Sequence, residues 1–168
     1  MPKKPRKPLP PPELEFSLHK ARGWRGEYAR LGRWRDRIRA SHSEADVEDF
    51  LYAFFQATSN LRDWVQAEKV VPQARLENLY RESFDLRLAQ DVGNASKHRG
   101  LTDPKVGREF SLVREAVDPG QGLFDDDATL TILSGGRHYD AFELVERCWL
   151  QWTTFLAPSI RQAAARPQ

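Results

Sequence analysis

The sequence predicts an α+β protein that is mainly α: an antiparallel helical bundle of about four helices, with a small three-stranded antiparallel β-meander before the last helix. Three observations carry this prediction. Long stretches before Gly100 place apolar side chains at steps of three and four. After Gly100 the period changes, and "REFSLVREAV", "TLTIL" and "RHYDA" alternate with turn-forming residues. A final stretch then returns to helical spacing with Phe142, Trp149 and Trp152.

Residues 1–15 hold six prolines and four basic side chains. Such a composition buries too little apolar surface to fold, and a disordered Pro/Lys-rich tail is expected. A single domain over 16–160 follows, and 161–168 is expected to be a flexible C-terminal tail.

From Phe16 a stripe of Leu18, Ala21, Trp24, Tyr28, Leu31, Trp34 and Ile38 marks the first helix, with arginines on its other side. Gly23, Gly26 and Gly32 each weaken it by about 1 kcal/mol relative to Ala. Tertiary packing must therefore hold it, and the small residues suit close approach of a neighbour. Ser43 with Asp46 resembles a capping box. Behind it Val47, Phe50, Leu51, Phe54, Thr58, Leu61 and Val65 predict a helix over 44–68. The short "SHS" link makes these two helices an antiparallel hairpin.

Pro72 opens a third helix. Leu76, Leu79, Tyr80, Phe84, Leu88, Val92 and Ala95 carry its period to Lys97, with Ser83 as a point where it can break. The meander is expected at about 109–139, its "SGG" forming a hairpin turn. The last helix is expected from about Asp140 to Leu156. Phe142, Val145, Trp149, Trp152 and Leu156 line one face, and Leu144, Cys148 and Phe155 another. A helix apolar on two faces is either central in its own fold or shared with a second chain. The Trp149/Trp152 helix is accordingly the expected surface for a homo-oligomer or protein partner.

Composition narrows function. The chain has 168 residues and a net charge of only +2, which argues against a dedicated duplex-DNA binder. Arginines are nonetheless dense between Arg22 and Arg39, a local basic stripe able to meet RNA phosphates. One cysteine, Cys148, excludes an internal disulfide framework and a Cys-based zinc site. No apolar run approaches the ~20 residues of a membrane span, and the start has no secretory core. A cytoplasmic protein with no cofactor and no metal is expected.

No Walker loop, nucleophile elbow, H-E-x-x-H or paired-cysteine motif is present. Asp125, Asp126 and Asp127 lack the spacing of a calcium loop. The polar group that stands out is "DVGNASKHRGL". Asp91, Asn94 and His98 fall at i, i+3 and i+7 on one helix face, with Lys97 beside them. His98 can move a proton near neutral pH and Lys97 can hold an anion, so both are candidate catalytic groups. Asp91 and Asn94 are candidate orienting or binding groups. The structural reading is equally specific: Lys97, His98 and Arg99 complement a helix C-terminus, and Gly100 suits its left-handed cap. Asn60, Arg62 and Asp63 in "NLRDW" form a second polar group. If the second and third helices lie side by side, the Arg62/Asp63 level is expected to approach Asn94 and His98. Arg62 and Asp63 paired on the surface, with Trp64 in the core, is the alternative.

The pairing of "NLRDW" with "NASKH" resembles small, largely uncharacterised bacterial and mobile-element proteins carrying an L-[RK]-D-W … N-x-[ST]-K-H motif pair. The resemblance runs from about Phe50 to Leu156. In architecture the chain is similar, at a distance, to HEPN domains, helical bundles that often dimerise and in many cases cleave RNA through R-x4-6-H. This sequence departs from that motif: no arginine stands four to six residues before His98, whereas Arg35 and Arg37 have that spacing from His42. The reading that results is a self-associating, non-enzymatic binding module with a polar site at Asn94, Lys97 and His98. The alternative is a metal-independent HEPN-like ribonuclease or RNA-binding protein, of the kind found in defence or toxin-type systems.

Overall fold

The computed structural model describes residues 23–95, 110–115 and 129–165. It is mainly helical with a small antiparallel sheet. The order is α1 (Gly23–Ala40), α2 (Glu44–Ala67), α3 (Gln73–Glu82), α4 (Phe84–Ala95), β1 (Phe110–Glu115), β2 (Thr129–Ser134), β3 (Arg137–Asp140) and α5 (Ala141–Ala164). The expected 1–15 tail, the start of the first helix, and both Lys97 and His98 lie outside the described residues.

Local chemistry sets the boundaries. Ser43 Oγ accepts from the Asp46 N–H at 3.3 Å and caps α2, as its sequence predicts. Asp140 caps α5 in the same way, accepting from the Glu143 N–H at 2.8 Å. Ser83 divides what the apolar period joins. Its backbone is extended, and its hydroxyl accepts from the Leu86 N–H at 3.0 Å, closing α3 and starting α4. Among the described residues five helices therefore stand where about four were expected. The last helix also runs further than expected, through Pro158 to Ala164, past the boundary drawn at residue 160.

The first two helices lie antiparallel. The start of α1 meets the end of α2, where the Trp24 N–H donates to Glu68 Oε1 at 3.0 Å. Near the connecting turn Trp34 packs on Phe50, their rings 5.7 Å apart. Gly23 has φ +55°, and the Glu68 carboxylate occupies the place a Cβ would take. One glycine thus satisfies both backbone conformation and cap.

The last helix is central. Leu144, Cys148, Trp152 and Leu156 are fully buried, and Ala141, Val145 and Phe155 join them in the core. On one side it runs against α1: Tyr28 stacks on Trp149 at 5.0 Å and meets Thr153 Oγ1 at 3.0 Å. One turn on, Gly32 leaves room for the Trp149 indole, which would come within 3.1 Å of a Cβ. Arg35 then grips Glu146, with contacts down to 2.6 Å. On the other side Trp152 meets Tyr80 edge-on at 6.1 Å and Phe155 at 6.0 Å.

This corrects the expected partner surface. Trp152 has no exposed area, and Trp149 is half-buried under Tyr28, so the indoles are spent inside the chain. Leu150 and Ile160 are the large apolar side chains exposed among the described residues.

The sheet has the order β1-β2-β3, with Leu112 opposite Ile132 and Ile132 opposite Tyr139. Gly135 and Gly136, at φ +57° and +74°, form its two-residue turn between Ser134 and Arg137. Leu130 and Ile132 enter the core, and Tyr139 packs on Phe84 at 5.3 Å.

Helix α4 approaches α2 backbone to backbone. A Cβ at Gly93 would lie 2.7 Å from the Phe55 carbonyl oxygen and 3.1 Å from the Gln56 nitrogen. Neither neighbour can yield as a side chain would. Gly93→Ala is expected to cost about 1–3 kcal/mol by forcing the helices apart. Each kcal/mol is read as roughly 2–4 °C of Tm in a chain of this size. A melting curve unchanged by Gly93→Ala would contradict this close approach.

Candidate functional site

The candidate residues divide between α4 and α2. On α4, Asp91 is 1% exposed and Asn94 is half-buried, on either side of Gly93. The Gly93 contact therefore fixes their depth: Asp91 lies within the protein, and Asn94 reaches its surface.

On α2, Arg62 is half-buried and Asp63 exposed, while Asn60 is half-buried. The Arg62 guanidinium lies 4.6 Å over the Tyr80 ring. It does so instead of forming a surface pair with Asp63. Its Nε, the Tyr80 hydroxyl and the Trp152 indole N–H are buried and have no hydrogen-bond partner. Burial pushes the Tyr80 hydroxyl well above its ordinary range; the Arg62 charge opposes this, and Cys148 and Asp63 add to it. Trp64 packs against the core, the part of the alternative reading that the structure does show.

Two contacts give the relative direction of α2 and α4. Tyr80, just before α4, meets Arg62, whereas Gly93 meets Phe55. The chain from Tyr80 to Gly93 therefore runs antiparallel to α2, toward its N-terminal half. At 1.5 Å per residue, Arg62 lies about 10 Å along α2 from Phe55, and Asn60 about 7 Å. Arg62 and Asp63 thus sit level with the beginning of α4, and Asn94 with the other end. The helices do lie side by side, but their antiparallel sense sets the Arg62/Asp63 level apart from Asn94; His98 lies outside the described residues.

A different polar cluster forms at the α3–α4 break. Asp85, in the first turn of α4, accepts from Arg147 Nε at 3.2 Å and from Gln151 Nε2 at 3.0 Å. The Ser83 hydroxyl donates to Gln151 Oε1, and the Cys148 thiol reaches the Asp85 carbonyl at 3.6 Å. Glu143 adds a contact to Arg147 at 2.9 Å. Burial alone would lower the Arg147 pKa, but the charges and hydrogen bonds of Asp85 and Glu143 prevail and raise it. For Cys148, burial comes first and the Asp85 carboxylate second, pushing the thiol well above its ordinary value of 9.0 despite Arg147. The cluster locks α4 to α5. Its sequence signal was a serine before a helix with an acid in the first turn, hidden inside a longer apolar period.

The pair with HEPN-like spacing is not assembled for catalysis. Arg35 is engaged with Glu146, Arg37 lies 4.6 Å over Trp34, and His42 is exposed beyond the end of α1. Among the described residues, no group of three His, Cys, Asp or Glu side chains could hold a metal ion. No helix among them is long and apolar enough to cross a membrane.

The raised thiol and phenol have a definite linkage sign. Each group loses its proton more readily in the unfolded chain, so the stability is fully present below the unfolded pKa. It falls as pH rises past 9.0 for Cys148 and past 10.0 for Tyr80. Urea midpoints should decline through this alkaline range, and Cys148→Ala should remove the earlier part of the decline. Native Cys148 should also resist thiol reagents until the chain unfolds; rapid modification of the folded protein would overturn this assignment.

Comparison of the chain with protein-family models, with curated proteins and with solved structures returns no match.

Proposed function

We propose that the chain is a non-enzymatic binding module of the cytoplasm, built as an antiparallel helical bundle, whose ligand meets the polar end of α4 at Asn94, Lys97 and His98. The observation that carries this reading is the seating of α4 on α2 at Gly93. It buries Asp91 and brings Asn94 to the surface on a helix whose depth cannot drift.

General acid–base cleavage needs two titratable groups within hydrogen-bond reach of one reacting atom. Of the residues gathered for such a role, Asp91 is buried, Arg62 lies over Tyr80, and Asp63 stands level with the opposite end of α4. The chemistry that remains in the sequence at Asn94, Lys97 and His98 is that of recognition: an amide, an ammonium and an imidazole. A rigid helix suits that role, since ordering costs are met before the ligand arrives.

The test is cleavage of labelled single-stranded RNA by the pure protein in EDTA, beside His98→Ala. Intact RNA in both reactions is expected. Cleavage by wild type that His98→Ala abolishes would replace this proposal with a metal-independent ribonuclease. If His98 serves a ligand and not the fold, His98→Ala should also melt within about 2 °C of wild type. A large loss of Tm would assign the histidine to the structure rather than to a ligand.

A further inference from the structure

We propose a second binding surface on the solvent face of α1, which takes the phosphate chain of single-stranded nucleic acid. The inner face of α1 holds Trp24, Glu27, Leu31 and Ile38, all buried. At 100° per residue the opposite face carries Arg25, Ala29, Arg33 and Arg37, and all four are exposed. The three arginines span about 18 Å along the axis at 1.5 Å per residue. The acid on this face, Asp36, is 74% exposed and lies 3.9 Å from Arg35. Arg30 flanks the stripe, 3.6 Å from Glu27.

The chemistry between the arginines selects the ligand. Gly26, Ala29 and Ala40 leave the face low, so an extended chain can lie along it. A membrane-surface helix would present Leu, Phe or Trp there, and none is present. The face is one short helix, too small for the surface that duplex-DNA proteins usually bury. Arginine pairs with phosphate through a planar fork and also stacks on rings. The second capacity is used on α1: Arg25 lies 5.6 Å from the Trp24 ring and Arg37 lies 4.6 Å over Trp34. A guanidinium already stacked on a half-buried indole gives a base a flat platform beside the phosphate track.

This surface is independent of the α4 end, because α1 and α4 pack against α2 by different residues: Trp34 meets Phe50, whereas Gly93 meets the Phe55 backbone. The experiment is fluorescence anisotropy of labelled oligouridine, oligothymidine and oligoglutamate of matched charge, titrated with the full chain over a range of salt. Wild type should bind both nucleic acids. The affinity should fall with salt at about −0.7 in log–log slope per phosphate contacted, or about −2 for three arginines. The triple variant Arg25→Gln/Arg33→Gln/Arg37→Gln should lose that slope and bind roughly ten-fold more weakly at about 50 mM salt. Its melting should remain close to wild type, since all three side chains are exposed. Preference for oligouridine would narrow the ligand to RNA, and equal binding of the two would show recognition of the phosphate chain alone. Failure of both to bind wild type, or an unchanged slope in the variant, overturns the proposal. Equal binding of oligoglutamate would overturn it in favour of an acidic peptide. His98→Ala should leave this binding intact, so loss at α1 and loss at α4 can be told apart.

Discussion

An indole with no path to water dictates the arrangement of this protein. Trp152 sits midway along α5 with no exposed area, so apolar groups must close over it from more than one side. Tyr80 and Phe155 meet it edge-on, an orientation the ring quadrupole favours. One turn away, Trp149 draws α1 inward over Gly32. Burying rings of this size yields more than any single ion pair on the surface can. The ion pairs follow from it: Arg35 with Glu146 and Arg147 with Asp85 lie where packing has already brought α1 and α4 beside α5.

The same packing leaves a polar seam. Tyr80 presents its ring to Trp152 and to Arg62, and its hydroxyl is buried between them without a hydrogen bond. An unpaired buried hydroxyl costs roughly 1–3 kcal/mol. The cation lying over the ring offsets part of that cost. Arg62 is thus explained by its stack on Tyr80, although in sequence it read as a candidate binding residue, with a surface ion pair as the alternative. A few residues away the Asp85 cluster is better satisfied, since its carboxylate receives both a guanidinium and an amide. The α4–α5 contact has polar specificity at its outer edge and apolar packing at its centre.

Much of this was legible from residue spacing, and the failures have physical causes. The three-and-four rhythm located the helices because burial of one face sets that period. Ser43 was legible because a cap is a local hydrogen bond. The break at Ser83 was only a point of weakness in sequence, because α3 and α4 keep one apolar rhythm on either side of it. The fate of the tryptophans was open for a deeper reason. An apolar face reports that it will be covered, not whether the cover comes from the same chain. Here the small residue opposite, Gly32, was visible in α1, but nothing in the spacing tied it to Trp149 across more than a hundred positions. The convergence of "NLRDW" with Asn94 failed on direction. The adjacency of the helices was a condition of that expectation, and a shared face says nothing about which end meets which; Tyr80 against Arg62 and Gly93 against Phe55 give the antiparallel sense.

Charge on α1 is divided by the same geometry. An arginine facing α5 at position 35 finds Glu146 at hydrogen-bonding distance and is neutralised by it. Of the arginines facing outward, Arg25 and Arg37 lie over the Trp24 and Trp34 rings, but among the described residues no carboxylate holds them as Glu146 holds Arg35. Helix propensity does not need them either, since α1 is already weakened by glycine and is held by its packing against α2 and α5. A stripe of like charges on a helix repels itself, and a fold indifferent to those positions would tolerate many other residues there. The outer face of α1 therefore carries charge whose packing role is confined to the stacks of Arg25 on Trp24 and Arg37 on Trp34. The polar end of α4 differs in kind. There Asp91 and Asn94 flank Gly93, whose contact with the Phe55 backbone seats that turn of helix on α2.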